Sequence, residues 1–184
     1  MLTLITPHLQ LPSVLELDSA RVRALGLDGL LLDVDGTLKD HGAAQFPAAV
    51  VAWARALRGA GVRLCLLSNG HARRIEPLAK RLDVPFVAKA FKPLPTGCRA
   101  ALQLMELRPA RAAIVGDQVF ADILAGRLAG LFTILVTPTS PVEPWFTRIK
   151  RPLERRVLRR LNARIPTLTC GQSQAGKPDL RGRS

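Results

Sequence analysis

Two aspartates stand two positions apart at the end of an apolar run, in the stretch GLLLDVDGT that covers residues 29–37. Such a run predicts a strand that is buried on both faces, and Asp33 and Asp35 come where that strand should end. A carboxylate can attack phosphorus and carry the phosphoryl group as an acyl phosphate. A second carboxylate can protonate the leaving alkoxide and then deprotonate the attacking water. The pair therefore has the chemistry of phosphoryl transfer.

Further functional side chains follow other apolar runs. Ser68 and Asn69 end the stretch VRLCLLSNG, Lys92 stands in AFKPLP, and Asp117 follows AAIVG. Carboxylates that approach a phosphate dianion repel it, so a cation is required. Mg²⁺ prefers a few carboxylates together with water and phosphate oxygens, which makes it the natural candidate. A lysine and a hydroxyl group would then neutralise charge on the transferring oxygens.

The elements that must position these groups alternate between strand and helix, which indicates an α/β protein. We expect a single Rossmann-like, doubly wound domain with a mainly parallel five-stranded sheet. The predicted strands are Gly29–Val34, Val62–Leu67, Pro85–Ala88, Arg111–Val115 and Leu131–Val136. The predicted helices are Leu15–Leu25, Pro47–Arg58, His71–Arg81, Pro95–Glu106 and Val119–Ala129. Because ligands bind beyond the carboxyl ends of parallel strands, this sheet should gather the candidate residues at one edge.

Four ordered stretches resemble the motifs of the haloacid dehalogenase-like (HAD) phosphatases. DVDGTL resembles the first motif, Ser68 the second, Lys92 the third and GDQVFAD the fourth. The resemblance implies that Asp33 is the nucleophile and Asp35 the general acid and base. It also implies that Ser68 and Lys92 bind the phosphate of the substrate, and we extend this expectation to Asn69, the neighbour of Ser68.

The same resemblance implies a Mg²⁺ site. Its ligands would be Asp33, the backbone carbonyl of Asp35, and Asp117, while Asp122 would support the metal from the second layer of contacts. Structural roles compete with some of these assignments. Ser68 has the side chain of a helix-capping residue, and an aspartate after a buried strand often only caps a turn.

Other polar residues lie near these motifs in the sequence. Lys89 competes with Lys92 for the role of the phosphate-binding cation. His41 and His71 match no motif, and we expect both to lie in solvent.

Many HAD phosphatases carry a cap domain, and this sequence has no room for one. The interval from Asp35 to Ser68 holds one flap, one helix and one strand, and the interval from Ser68 to Lys92 one helix and one strand. Without a cap domain the site should be open, which suits a phosphate group that belongs to a large substrate. The stretches VGDQVFADILAGRLAGLFTILVTP and EPWFTRIKRPLERRVLRRL resemble the capless YqeG-like family, which is related to phosphatidylglycerophosphate phosphatases. The resemblance covers roughly residues 10–165. This resemblance implies dephosphorylation of phosphatidylglycerophosphate to phosphatidylglycerol.

The charge of the chain favours a polyanionic partner. There are 27 lysines and arginines against 14 acidic residues, a net charge of +13. Residues 145–165 are predicted to form a basic helix, with Arg155, Arg156, Arg159 and Arg160 crowded on one face. Such a helix could contact an anionic membrane peripherally. Alternatively, its apolar stripe packs on the domain and the arginines are merely solvated.

Composition also limits the class of protein and its expected location in the cell. No apolar run approaches the roughly 20 residues of a membrane span, and the N-terminal segment makes a poor signal peptide. The three cysteines suggest neither a disulfide framework nor a zinc site. We expect a cytoplasmic protein, with peripheral contact at the inner face of the cell membrane. We expect residues 1–165 to form the catalytic domain, with the N-terminal and basic helices included, and residues 166–184 to be a disordered tail.

Two other functions remain open from the sequence. The same chemistry would serve a soluble sugar phosphate, a nucleotide or a phosphoprotein. A nucleic-acid-binding protein on a phosphatase-like fold would also suit the charge. The chain contains no tyrosine and is 4% aromatic, so it lacks a surface for base stacking. No nucleic-acid partner is therefore expected.

Overall fold

The structure is a computed structural model that describes residues 2–139. In this part of the chain, six parallel strands form one sheet in the order β1-β6-β5-β2-β3-β4. The strands are β1 (Leu9–Leu11), β2 (Gly29–Leu32), β3 (Arg63–Leu67), β4 (Phe86–Val87), β5 (Ala112–Gly116) and β6 (Phe132–Val136). The predicted α/β fold with its mainly parallel sheet is confirmed.

Helices cover both faces of this sheet. They are α1 (Ser19–Ala24), α2 (Ala48–Gly59), α3 (Ala72–Leu82), α4 (Thr96–Leu104) and α5 (Leu124–Leu128). The alternating side chains of β2 explain the two layers, because Leu30 and Leu32 join the core under α2 and α3. Leu31 points the other way and packs in the core under α4 and α5. A strand buried on both faces reads as a continuous apolar run, as the sequence of β2 does.

The sheet has one strand more than the sequence predicts. β1 lies at the edge and pairs with β6, and its Leu9 and Leu11 are buried on either side of Gln10. Three residues are too few to show the alternation of apolar and polar side chains that is typical of a strand, so the sequence pattern does not predict β1.

The predicted helix over Leu15–Leu25 is wrong in its first half. Val14–Glu16 form a 3₁₀ turn, and α1 begins only after Asp18. The Asp18 carboxylate accepts a hydrogen bond from the backbone N–H of Arg21 at 2.7 Å, the geometry of a helix N-cap. Leu17 is fully buried, and its carbonyl accepts a hydrogen bond from the indole of Trp53. The capping aspartate thus starts the helix later than the apolar pattern suggests.

No inserted cap domain is present between β2 and β4. Residues 33–47 form turns and one isolated bridge, and a single helix, α3, joins β3 to β4. The carboxyl ends of the three central strands, β5, β2 and β3, are therefore not roofed by an inserted domain within residues 2–139. In the same range, no helix is long and apolar enough to span a bilayer. The predicted basic helix over residues 145–165 and the predicted tail lie outside the described residues.

Candidate active site

The chain reverses direction immediately after β2 and forms a tight loop. The N–H of Leu38 donates to the carbonyl of Val34, and the N–H of Gly36 donates to the carbonyl of Lys39 at 2.8 Å. Gly36 has a φ of +87°, which L side chains rarely adopt. A Cβ atom there would also lie 2.7 Å from a carboxylate oxygen of Asp117. The glycine therefore allows both the turn and the close approach of the β5 end to the β2 end.

Three buried carboxylates converge at the carboxyl edge of the sheet. They belong to Asp33 after β2, to Asp117 after β5, and to Asp122, and one oxygen of each lies within 4.8 Å of the others. The hydroxyl of Thr37 joins two of them, since it lies 3.2 Å from an oxygen of Asp33 and 3.3 Å from an oxygen of Asp117. Buried carboxylates at such distances repel each other unless positive charge is supplied.

Lys92 supplies part of that charge from the loop between β4 and α4. Its ammonium group is buried and donates to Asp33 at 2.5 Å, to Asp122 at 2.6 Å and to the carbonyl of Leu67 at 3.1 Å. Burial alone would lower the pKa of Lys92, but the carboxylates of Asp122 and Asp33 outweigh it and raise this pKa. The lysine is therefore a fixed cation at the nucleophile candidate.

Within this cluster of three buried carboxylates, the ammonium group of Lys92 pairs with Asp33 and Asp122. A divalent cation fits this donor set, because hard carboxylate oxygens are the ligands that such ions prefer. Burial raises the pKa of Asp33 to about 6, against the opposing effect of Lys92, so burial disfavours its charged form. A bound cation would shift the balance back towards the carboxylate.

Asp122 is positioned by an irregular turn. The sequence predicts a regular helix over Val119–Ala129, but Val119–Ile123 form a π-helical turn and α5 begins only at Leu124. This wider turn is braced by Gln118, whose N–H donates to the Asp122 carboxylate at 3.1 Å while its carbonyl accepts from the Asp122 N–H. π-turns of this kind occur frequently at functional sites. Gly116 leaves room for the carboxylate, since a Cβ there would lie 2.3 Å from Asp122 Cγ.

Ser68 and Asn69 lie at the end of β3, beside the lysine. The Ser68 hydroxyl is buried and accepts a hydrogen bond from the Gly70 N–H at 3.0 Å, which leaves its own proton for another oxygen. The Asn69 amide makes two hydrogen bonds with the backbone of Lys92, as donor to its carbonyl and as acceptor from its N–H. Asn69 thus holds the lysine loop in place, and its contact with phosphate stays a prediction.

Asp35 is held by two cations that the sequence analysis does not single out. Both carboxylate oxygens accept from the guanidinium of Arg74 on α3, at 3.0 and 2.5 Å. The ammonium of Lys39 is almost fully buried and donates to Asp35 at 2.6 Å. Burial would raise the pKa of Asp35, but these hydrogen bonds outweigh it and lower this pKa. The only available sequence signals are the basic residue four positions after Asp35 and the run of arginines that opens α3.

The other residues considered in the sequence fall outside this cluster. Lys89 is exposed while Lys92 is buried among the carboxylates, so the lysine at position 92 is the one that contacts the candidate nucleophile. His71 is exposed and His41 half-buried. The predicted membrane-facing residues Arg155, Arg156, Arg159 and Arg160 lie outside the described residues.

Comparisons with known proteins agree with this geometry. Residues 40–130 match the family model described as haloacid dehalogenase-like hydrolase. The probable phosphatase YqeG of Bacillus subtilis is 28% identical over 146 residues, which cover 79% of this chain and 85% of that protein. The chloroplastic phosphatidylglycerophosphate phosphatase 1 of Chlamydomonas reinhardtii is 31% identical over 163 residues, 83% of this chain and 60% of that protein.

Solved structures share the fold at low sequence identity. The cobalt-bound deoxy-D-mannose-octulosonate 8-phosphate phosphatase YrbI of Haemophilus influenzae superposes with a TM-score of 0.52 at 16% identity. The superposition covers 69% of this chain and 75% of that one. At this identity the likeness concerns the fold alone. The matches in sequence identify this chain as a haloacid dehalogenase-like hydrolase and a phosphatase.

Proposed function

We propose that this phosphatase removes the terminal phosphate of phosphatidylglycerophosphate through an aspartyl-phosphate on Asp33. The contact of Asp33 with Lys92 at 2.5 Å, beside the carboxylates of Asp117 and Asp122, is the observation that carries the chemistry. A candidate nucleophile, a buried ammonium group and oxygen ligands suited to a divalent cation lie together there at the carboxyl edge of the sheet. This arrangement favours in-line transfer of a phosphoryl group over a purely structural role of the carboxylates.

The first step transfers the phosphoryl group to the protein. An oxygen of Asp33 attacks phosphorus and the bond from phosphorus to the leaving oxygen breaks. The leaving alkoxide takes a proton from Asp35, which must first be protonated against the effect of Arg74 and Lys39. Lys92 and the Ser68 hydroxyl neutralise charge on the transferring oxygens, which is greatest in the transition state. Arg74 and Lys39 fix the orientation of the Asp35 carboxylate at the mouth of the site.

The second step restores the nucleophile. Asp35 takes a proton from water, the water oxygen attacks phosphorus, and the bond between phosphorus and Asp33 breaks to release inorganic phosphate. A divalent cation, with Mg²⁺ as the candidate, would be held by Asp33, Asp117 and the backbone carbonyl of Asp35, with Asp122 beside it. When bound, it supplies positive charge that lets an anionic nucleophile and an anionic phosphate meet.

Three features support a phospholipid as the substrate. The chain is 31% identical to a phosphatidylglycerophosphate phosphatase over 83% of its length. No inserted domain covers the site within residues 2–139, so a headgroup that stays attached to a membrane has access from that side. The net charge of +13 also favours an anionic surface. The proposed membrane contact by Arg155, Arg156, Arg159 and Arg160 belongs to the same hypothesis.

Phosphate release from a panel of substrates tests the proposal. The panel contains short-chain phosphatidylglycerophosphate, glycerol 3-phosphate, an octulosonate 8-phosphate and a nucleoside monophosphate, each with Mg²⁺ and with chelator. We expect the highest kcat/KM for the lipid and no release with chelator. Preference for a soluble ester by tenfold or more would contradict the lipid assignment and leave the phosphatase chemistry intact.

The nucleophile is tested separately with Asp33→Asn, because an amide cannot attack phosphorus in place of the carboxylate. We expect a folded protein without turnover, and we expect beryllium fluoride, a mimic of the phosphoryl group, to bind the native protein but not the variant. Asp83→Asn is the matched control, since Asp83 is a largely exposed carboxylate that pairs with Arg58 away from the site. Normal turnover by Asp33→Asn would refute the mechanism.

A further inference from the structure

A turn with exposed apolar side chains surrounds the buried lysine of the site. Phe91 is 65% exposed and Leu94 56% exposed, and Pro93 between them is exposed as well. The N–H of Leu94 donates to the carbonyl of Phe91 at 2.9 Å and closes the turn. Lys92 within the same turn points inward to Asp33. One short segment therefore carries the candidate phosphate-binding cation on its inner side and three apolar residues on its outer side.

The backbone of this segment adopts a conformation that ordinary residues seldom accept. Lys89 has a φ of +47° and Phe91 a φ of +53°. For a residue with a side chain, the left-handed region costs on the order of 1 kcal/mol, and such outliers cluster at ligand-binding sites. Here the outlier directs Phe91 into solvent, where the ring gains nothing from the core of the protein. An apolar ring held outward at this cost suggests contact with another molecule.

Positive charge flanks the turn. The N–H of Lys89 donates to the carbonyl of Gly70 at 2.9 Å, so the loop before the turn lies against the loop that opens α3. Arg73 and Arg74 stand in the first turn of that helix, and both are exposed. Arg74 pairs with Asp35, whereas the side chains of Lys89 and Arg73 have no ion-pair partner among residues 2–139. The exposed apolar residues thus share this part of the surface with two cations that have no ion-pair partner in the described range.

We propose that the turn of residues 91–94 enters the surface of an anionic phospholipid bilayer, with Lys89 and Arg73 against the headgroups. The inference rests on the proposed function and gives its site a membrane contact within the catalytic domain itself. Apolar side chains with flanking cations are the combination that binds the interface of an anionic membrane. Because Lys92 lies inside the turn, insertion would bring the nucleophile to the depth of the headgroup phosphates.

The charge pattern favours a bilayer over a protein partner. Scattered exposed apolar residues are common on monomers, but these three adjoin the site and lie on a surface that also carries exposed cations. Two large side chains also cover far less area than a stable protein interface, which needs about 800 Å² on each partner.

Sedimentation with vesicles tests this surface in the full chain. The vesicles contain phosphatidylglycerol and phosphatidylcholine, and the variant is Phe91→Ser combined with Leu94→Ser. Leu104→Ser is the matched control, because Leu104 is 54% exposed but is the last residue of α4, close to the start of β3 and away from the site. We expect at least a tenfold loss of vesicle binding for the double variant and less than a twofold change for the control.

Hydrolysis of a small soluble phosphate ester shows whether the double variant is folded, and we expect its rate to stay within twofold of the native rate. We also expect Lys89→Gln with Arg73→Gln to bind vesicles with a weaker dependence on salt. Native vesicle binding by the Phe91→Ser, Leu94→Ser protein would overturn the inference. Failure of the native protein to hydrolyse micellar phosphatidylglycerophosphate would instead contradict the proposed substrate. The sedimentation experiment would still show whether residues 91–94 bind the bilayer.

Discussion

The guanidinium of Arg74 donates hydrogen bonds to both carboxylate oxygens of Asp35. A residue of α3 therefore orients Asp35, the candidate general acid and base in the loop after β2. The two residues are 39 positions apart in the chain. Arg74 lies closely over the backbone of Gly70, where an added Cβ would come within 2.5 Å of its guanidinium. The absence of a side chain at Gly70 therefore permits the contact between Arg74 and Asp35.

We predict that Arg74→Gln lowers turnover of alkyl phosphates by about tenfold, part of the 10²–10⁴ that general acid–base catalysis supplies. With p-nitrophenyl phosphate, Arg74→Gln should slow the transfer of the phosphoryl group to Asp33 less, because the nitrophenolate leaving group needs no proton. Arg74→Lys should recover part of the rate. Single-turnover kinetics on both substrates measure the difference, and Arg73→Gln on the same helical turn is the control. Equal losses on both substrates would argue against a role in orienting Asp35.

The convergence of the Asp33, Asp117 and Asp122 carboxylates leads to a prediction about stability. Saturating Mg²⁺ should raise the melting temperature, since a ligand at 100 times its Kd stabilises the folded state by about 2.7 kcal/mol. Asp117→Asn removes one carboxylate from this donor set, so this variant should lose the response to Mg²⁺. Asp83→Asn should respond as the native protein does. An unchanged Mg²⁺ response in Asp117→Asn would place the cation elsewhere.

Much of this site follows from the sequence for a simple reason. Parallel strands end at the same edge of a sheet, so Asp33, Ser68 and Asp117 had to come close once each was assigned to a strand end. The position of Lys92 follows less directly, because it depends on the path of the loop after β4 and on the two hydrogen bonds from Asn69.

The partners of Asp35 could not be predicted in the same way. Lys39 returns to Asp35 through a loop whose path depends on the positive φ of Gly36. Arg74 reaches the site from α3 by passing close over the backbone of Gly70. The π-turn that carries Asp122 is also hidden in the sequence, because apolar residues at helical spacing fit a regular helix equally well. These contacts depend on tertiary packing, which the local pattern does not encode.

His8 gives a prediction for pH, far from the site. Its ring stacks on Phe132 and contacts Thr133 and the guanidinium of Arg127. Partial burial and the charge of Arg127 hold the pKa of His8 below its ordinary value of 6.5. Below pH 6.5 the unfolded chain therefore binds more protons at this residue than the folded protein does, and the folded state loses stability as the pH falls towards the lowered pKa. Denaturant titrations should show that the free energy of unfolding of His8→Gln falls less between pH 6.5 and 5 than that of the native protein. An equal fall in both proteins would show that His8 does not contribute to this pH dependence.

Alanine variants of Gly36 and Gly42 distinguish the cost of a positive φ from the effect of a side chain on the neighbouring Asp117 carboxylate. Both have a positive φ, +87° and +81°, so alanine at either position should destabilise the folded protein by about 1 kcal/mol. Open space surrounds a Cβ at Gly42, whereas a Cβ at Gly36 would lie 2.7 Å from an oxygen of Asp117. Gly36→Ala should therefore displace the Asp117 carboxylate and lower both turnover and Mg²⁺ affinity by tenfold or more. Gly42→Ala should keep both within twofold, as measured by phosphate release at a series of Mg²⁺ concentrations. Equal activities of the two variants would show that the closeness of Gly36 to Asp117 has no part in the reaction.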